Sequence, residues 1–217
     1  MNSKLIVFDL FGTLVESPEP VSVKELLDEI EIHAGGDKGL YQRWLSSSEE
    51  RDRGTYASPD AYWDAMQVQD ATKANLLYQR GNSFWLERLR PGVIETLDYL
   101  KENGFDIVLC SNAGFETNTI FKNNKIYGFF NRVIISAEVK ALKPEAKMYE
   151  EALGKGNYYL EKYFIGDGGS DELAGAEHNG FTPLHLSEYR EGKELYRDLA
   201  INYQKIDNLF KLIELFS

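Results

Sequence analysis

Residues 4–13 read KLIVFDLFGT. The first five form a continuous apolar, β-branched run, the pattern of a strand buried on both faces of a parallel sheet. The run leads straight into Asp9, and Gly12-Thr13 ends it. Comparable runs recur at residues 106–110 (DIVLC), 132–135 (RVII), 163–165 (YFI) and 182–186 (TPLHL). Helical spacing fills the gaps. Pro91-Gly92 opens one helix, with Val93, Leu97 and Leu100 on one face and Gly104 at its close. Pro144 opens another that carries Tyr149, Ala152 and Leu153 and stops at Gly154. Ile206, Leu209, Phe210 and Ile213 make a last stripe, predicting a terminal helix. Strands alternating with helices predict an α/β fold with a doubly wound parallel sheet and right-handed crossovers. In such sheets the chemistry sits beyond the carboxyl ends of the strands.

One stretch breaks the alternation. Between about residues 16 and 90 no strand-like run appears, whereas helical spacing does, at Tyr41, Trp44 and Leu45 and again at Tyr62, Ala65 and Met66. All three tryptophans (Trp44, Trp63 and Trp85) lie there. The reading is an α-helical subdomain over residues 16–90, inserted into a core built from residues 1–15 and 91–217.

Composition narrows the function. The chain has 217 residues and a formal net charge of −11, with no basic cluster, which argues against a nucleic-acid surface. No uncharged apolar run approaches the ~20 residues of a membrane span, and no signal-peptide layout is visible. A single cysteine, Cys110, excludes an internal disulfide and any multi-cysteine zinc site. A cytoplasmic protein, monomer or homodimer, acting on a small anionic molecule and not on nucleic acid or membrane, is the expectation. Neither a GxGxxG after a strand nor a GxxxxGK[ST] occurs, so dinucleotide and P-loop functions fall away.

Four short segments fall where predicted strands end: Asp9-Leu10-Phe11-Gly12-Thr13, Ser111-Asn112, Lys143-Pro144, and Gly166-Asp167-Gly168-Gly169-Ser170-Asp171. Together they collect carboxylates, a lysine and a hydroxyl on one rim. A carboxylate can attack an electrophilic centre and form a covalent intermediate that water opens. A hydroxyl and a lysine can hold an anionic group and neutralise its charge. Clustered carboxylates repel, and Mg²⁺, which suits oxygen-only ligands, removes that cost. Asp171 stands four residues after Asp167, at the start of a predicted helix over 171–179, where it is placed to support the metal.

These four segments resemble the four motifs of the haloacid dehalogenase-like (HAD) hydrolase superfamily, along the whole chain. Supporting text includes RPGVIETLDYLKENGFDIVLCSN, ISAEVKALKPEAKMYEEAL and FIGDGGSDELAGAEHNGF. The resemblance implies a Rossmann-like core with a helical cap inserted after the first motif. It also implies roles. Asp9 is the nucleophile; Ser111 and the Asn112 backbone hold the transferred group; Lys143 bridges nucleophile and substrate charge. Asp9, the Phe11 carbonyl, Asp167 and Asp171 form the Mg²⁺ set, and the Leu10-Phe11-Gly12 loop lies against the substrate. Arg43, Arg51 and Arg53 of the cap are candidates to grip an anionic tail.

One position departs from the pattern. Phosphatases of the superfamily carry a second Asp two residues after the nucleophile, to protonate the leaving oxygen; here Phe11 stands there. General acid–base help is worth ~10²–10⁴-fold. Phe11 resembles the aromatic residue of 2-haloacid dehalogenases, which work without metal. Asp167 and Asp171 point the other way, because two carboxylates beside Asp9 call for a cation. Mg²⁺-dependent phosphoryl hydrolysis through an aspartyl-phosphate on Asp9 is therefore the leading expectation. A metal-free 2-haloacid dehalogenase is the alternative, and a non-catalytic binder of phosphorylated ligands is the second.

Overall fold

The computed structural model describes residues 4–190 and 193–217. Six parallel strands form one sheet in the order β3-β2-β1-β4-β5-β8. They are β1 (Lys4–Phe8), β2 (Phe105–Ser111), β3 (Arg132–Ile135), β4 (Glu161–Gly166), β5 (Thr182–Leu186) and β8 (Gln204–Ile206). A two-stranded antiparallel hairpin, β6 (Glu188–Arg190) with β7 (Lys193–Leu195), follows β5.

Central β1 explains the unbroken apolar run at the start of the chain. Ile6 and Phe8 face one layer, packed with Val93, Leu97 and Leu100 of α6 (Val93–Glu102) and Leu212 of α11 (Phe210–Phe216). Leu5 and Val7 face the other, with Met148 and Tyr149 of α9 (Ala146–Leu153) and Leu173 and Ala176 of α10 (Glu172–His178). Helices on both faces make this a doubly wound α/β fold. The shorter α7 (Phe115–Phe121) and α8 (Ser136–Val139) connect β2 to β3 and β3 to α9.

The strand order reverses at β1. From β1 the sheet grows through β2 to β3, then returns to the other side of β1 with β4. That switch point leaves a crevice beyond the strand ends. Phe8 pairs with Ile165, and the Asp9 amide donates to the Ile165 carbonyl at 2.9 Å, so the segments after β1 and β4 emerge side by side.

Five helices lie between β1 and α6: α1 (Pro20–Ala34), α2 (Leu40–Ser46), α3 (Ser48–Asp52), α4 (Pro59–Ala65) and α5 (Ala71–Leu86). They share a core of their own, including Val23, Leu27, Ile30, Trp63, Tyr78 and Trp85. Local chemistry sets their starts. Pro20 pre-forms the first turn of α1. The Ser58 hydroxyl accepts from Ala61 N–H at 3.1 Å ahead of α4, and Asp70 accepts from Lys73 N–H at 2.9 Å ahead of α5.

The terminal stripe is corrected. Ile206 is the last residue of β8, not part of a helix, and Phe210 begins α11 with its side chain 43% exposed. Residues 204–206 pair with residues 184–186 as an edge strand, which shifts the buried helical face to Leu209 and Leu212.

Candidate active site

Asp9 follows β1 directly and is 7% exposed. Lys143, 4% exposed, donates from Nζ to Asp9 Oδ1 at 2.5 Å and also to Glu172 Oε2. Asp9, Asp167 and Glu172 bring one carboxylate oxygen each to within 4.8 Å of one another. Asn112 orients the lysine's backbone: its Oδ1 accepts from Lys143 N–H at 2.8 Å and its Nδ2 donates to the Lys143 carbonyl at 3.2 Å. Ser111, 1% exposed, ends β2 beside β1.

The charges interact strongly because the site is buried. Burial pulls the Lys143 ammonium down, but Asp9 and Glu172 outweigh it and hold it well above its ordinary range. Burial, then the Asp9 charge, push Glu172 up to about 8 against the pull of Lys143. Burial and Asp9 likewise raise Asp167, opposed by Arg197. Arg197 donates to Asp167 Oδ2 from Nε and from a terminal nitrogen, both at 3.1 Å. Two cations thus partly offset three carboxylates.

The donor set fits a hard divalent cation: oxygen ligands only, buried, and mutually repulsive without one. Gly12 keeps the space open. Its φ is +81°, and a Cβ built there would stand 2.5 Å from Asp167 Oδ2.

Asp171 does not join this cluster. It is exposed and lines a shallow depression with Leu173 and Leu199, and Glu172 occupies the place expected for it. Ser170 (φ 54°) and Asp171 (φ 51°) both adopt left-handed backbone, which turns the next residue inward. Glu172 then anchors the loop by accepting Gly168 N–H at 3.1 Å. The only sequence signal was a second acidic residue after Asp171, with nothing to choose between the two.

Leu10 sits in the loop between Asp9 and Gly12. Its side chain is fully buried in the core, while its carbonyl accepts from Leu14 and Val15 N–H groups to shape the loop. Phe11 packs partly against the core and lines a cavity of about 280 Å³ together with Asn112.

The three arginines of α2 and α3 diverge. Arg43 ties loops together through the carbonyls of Asp37, Lys38 and Met66. Arg53 pairs with Glu49 and Glu145 and lines a second cavity, of about 380 Å³, with Asn112 and Lys143. Arg51 lines the Phe11 cavity. A larger cavity of about 690 Å³, between α5 and α7, contains none of these residues.

The site thus joins a buried lysine shared by two carboxylates to a third carboxylate at the switch point of the sheet. The sequence model of the haloacid dehalogenase-like hydrolases matches residues 3–179. The chain belongs to the haloacid dehalogenase-like hydrolase family. It is an enzyme of the hydrolase class.

Within this family, the chain is 31% identical over 198 residues to a phosphoglycolate phosphatase of Mannheimia succiniciproducens, covering 86% of this chain and 88% of that protein. Among solved structures it is similar to a HAD phosphatase from Thermococcus onnurineus, with a TM-score of 0.65, 23% identity, and coverage of 98% and 97% of the two chains. It is similar as well to a 2-haloacid dehalogenase from Pseudomonas syringae pv. Tomato, with a TM-score of 0.67, 21% identity and the same coverage, 98% and 97%. At those identities the structures speak for the HAD fold alone. Among the described residues no helix is long and apolar enough to cross a membrane.

Proposed function

We propose that this HAD hydrolase is a phosphohydrolase acting on a small phosphorylated metabolite. The observation that carries the reading is the meeting of Asp9, Asp167 and Glu172 within 4.8 Å. A metal-free dehalogenase has no use for that much buried negative charge beside a nucleophile that must receive an anionic substrate. The similarity to a phosphoglycolate phosphatase supports the same reading.

Asp9, Asp167 and the Phe11 carbonyl would hold Mg²⁺, with Glu172 supporting them. Bound there, the ion supplies charge neutralisation at the oxygens of the transferred group. The rest is done by the chain's own residues. Lys143 engages Asp9 Oδ1 and leaves the second carboxylate oxygen to attack phosphorus. The Ser111 hydroxyl and the Asn112 backbone receive the phosphoryl oxygens, with Lys143 offsetting their charge. Water then opens the aspartyl-phosphate on Asp9. Phe11 donates no proton, so leaving groups that depart as stable anions turn over best. Helices α1–α5 (residues 16–90) act as the cap over the core of residues 1–15 and 91–217. Cap and core meet where Ser136 Oγ donates to the Asp52 carbonyl at 2.5 Å, Lys140 to the Gly54 carbonyl, and Arg53 pairs with Glu145 at 2.8 Å.

The test is hydrolysis of p-nitrophenyl phosphate and 2-phosphoglycolate, with Mg²⁺ and with chelator, in the natural chain and in Asp9→Asn. Mg²⁺-dependent phosphate release that disappears in the variant is expected. Full turnover by Asp9→Asn overturns the reading. Phe11 itself favours a second reading, 2-haloacid dehalogenation, and halide release from 2-chloropropionate that persists in chelator would establish it. Tight binding of phosphorylated ligands without turnover under any metal would establish a binding protein instead.

A further inference from the structure

The Arg197 guanidinium holds the oxygen that a cation in the carboxylate cluster would need. Arg197 stands on the irregular segment 196–203 between β7 and β8. Its Nε and one terminal nitrogen both donate to Asp167 Oδ2 at 3.1 Å. A carboxylate oxygen offers about two lone pairs, so this fork commits them both. Oδ2 is also the oxygen turned toward the nucleophile loop, since a Cβ on Gly12 would stand 2.5 Å from it. Oδ1 is engaged elsewhere, accepting Gly169 N–H at 2.8 Å. A cation shared with Asp9 and the Phe11 carbonyl therefore competes with Arg197 for Oδ2, and the two positive charges would repel each other there.

The surroundings let this side chain leave while its backbone stays. Tyr196 Oη donates to Asp207 Oδ1 at 3.0 Å, and its ring stands edge-on to His185. On the other side of Arg197, Leu199 covers Gly168, where a Cβ would stand 2.8 Å from Leu199 Cδ2. The Arg197 side chain is itself 41% exposed and lies 3.4 Å from a second carboxylate, Glu188 Oε2. Glu188 lies outside the Asp9, Asp167 and Glu172 cluster. Lys143 differs: its side chain is 2% exposed and locked between Asp9 and Glu172, with no second place to go. We propose that Arg197 is a displaceable counter-ion. It neutralises Asp167 until a divalent cation arrives, then swings to Glu188, and so sets the cation concentration at which the site fills. The inference rests on the Mg²⁺ site of the phosphohydrolase reading. Binding to a site whose competent form is a fraction of the population is weakened by that fraction. A pair with charged partners is worth about tenfold or more, and exposure to solvent screens this one toward about fivefold.

The probe is Mg²⁺ alone, titrated calorimetrically into the natural chain and into Arg197→Met. The variant is expected to bind the ion about fivefold tighter, because no guanidinium has to be displaced. In chelator the variant should melt below the natural chain, and at saturating Mg²⁺ the two should melt together. In the natural chain, the Arg197 Nε–H resonance should lose its protection from exchange with water as Mg²⁺ is added. That resonance is assigned by its loss in Arg197→Met, or in Arg197→Lys should the methionine variant not fold. Equal or weaker Mg²⁺ binding by Arg197→Met overturns the counter-ion role while leaving the Mg²⁺ site intact. Melting temperatures that fall equally in chelator and in Mg²⁺ show a merely structural residue and overturn it too. An Nε–H that stays protected at saturating Mg²⁺ shows that arginine and cation share Asp167, which also overturns it. Absence of Mg²⁺ binding by both chains overturns the metal site and this inference with it.

Discussion

Asn112 grips the backbone of Lys143 from both sides, accepting its N–H at 2.8 Å and donating to its carbonyl at 3.2 Å. This clamp spans the ends of two separate segments and fixes where the Lys143 side chain starts. Asn112→Asp keeps the acceptor but replaces the donor with a second oxygen facing a carbonyl. A loss of about 1–3 kcal/mol in stability is expected, with turnover falling more than binding of phosphate. Denaturant melts and a kcat-against-KM comparison check it.

Glu172 and Asp171 are neighbours in sequence but not in role. Glu172 is 1% exposed and bonded to Lys143, whereas Asp171 faces solvent. Glu172→Gln should raise the Mg²⁺ concentration needed for half-maximal activity by about 10-fold or more. Asp171→Asn should leave it within about twofold, as for other exposed substitutions. Titration of activity with Mg²⁺ separates the two, and the reverse order would return Asp171 to the metal site.

Gly12→Ala tests the space beside Asp167. An L-residue at φ +81° is strained, and its Cβ would lie 2.5 Å from Asp167 Oδ2. The backbone cost alone is about 1–2 kcal/mol. Displacement of the Asp167 carboxylate should weaken Mg²⁺ binding as well, measurable as a smaller rise in melting temperature on adding the ion.

The pH dependence of metal-free stability has a definite sign. Glu172, raised from 4.5 to about 8, keeps in the native state a proton that the unfolded chain releases at lower pH. Asp167 is raised in the same direction. The native state therefore binds more protons between those values, and stability falls as pH climbs from about 4.5 to about 8. Millimolar Mg²⁺ should flatten that decline, because the cation replaces the protons. Melting temperatures across the range, with Mg²⁺ and with chelator, provide the check; a rise with pH in chelator would contradict it.

Cys110 adjoins Ser111 but has no exposed surface, and burial pushes its thiol up to about 12. It should not react with a thiol-specific disulfide reagent until the chain unfolds. Fast labelling of the native protein would show that the β2 end opens.

Much of the molecule was legible in the amino-acid sequence, because burial on both faces of a strand leaves a local signature. Unbroken apolar runs located β1 to β5, and the segments at their ends marked Asp9, Ser111, Asn112, Lys143 and Asp167. The missing strands after residue 16 marked the inserted helices. What the sequence could not determine is where a side chain points once the chain leaves a regular element. Two left-handed residues in a row, Ser170 and Asp171, carried Glu172 inward in place of Asp171. Arg43, Arg51 and Arg53 look alike in sequence, yet only tertiary packing sent the first to loop carbonyls, the second beneath Trp44 and the third to Glu145. Arg197, thirty positions beyond Asp167, reaches it from a loop with no pattern at all. Periodicity records which residues are buried. Direction into a site depends on contacts between segments distant in sequence, and only the tertiary structure decides those.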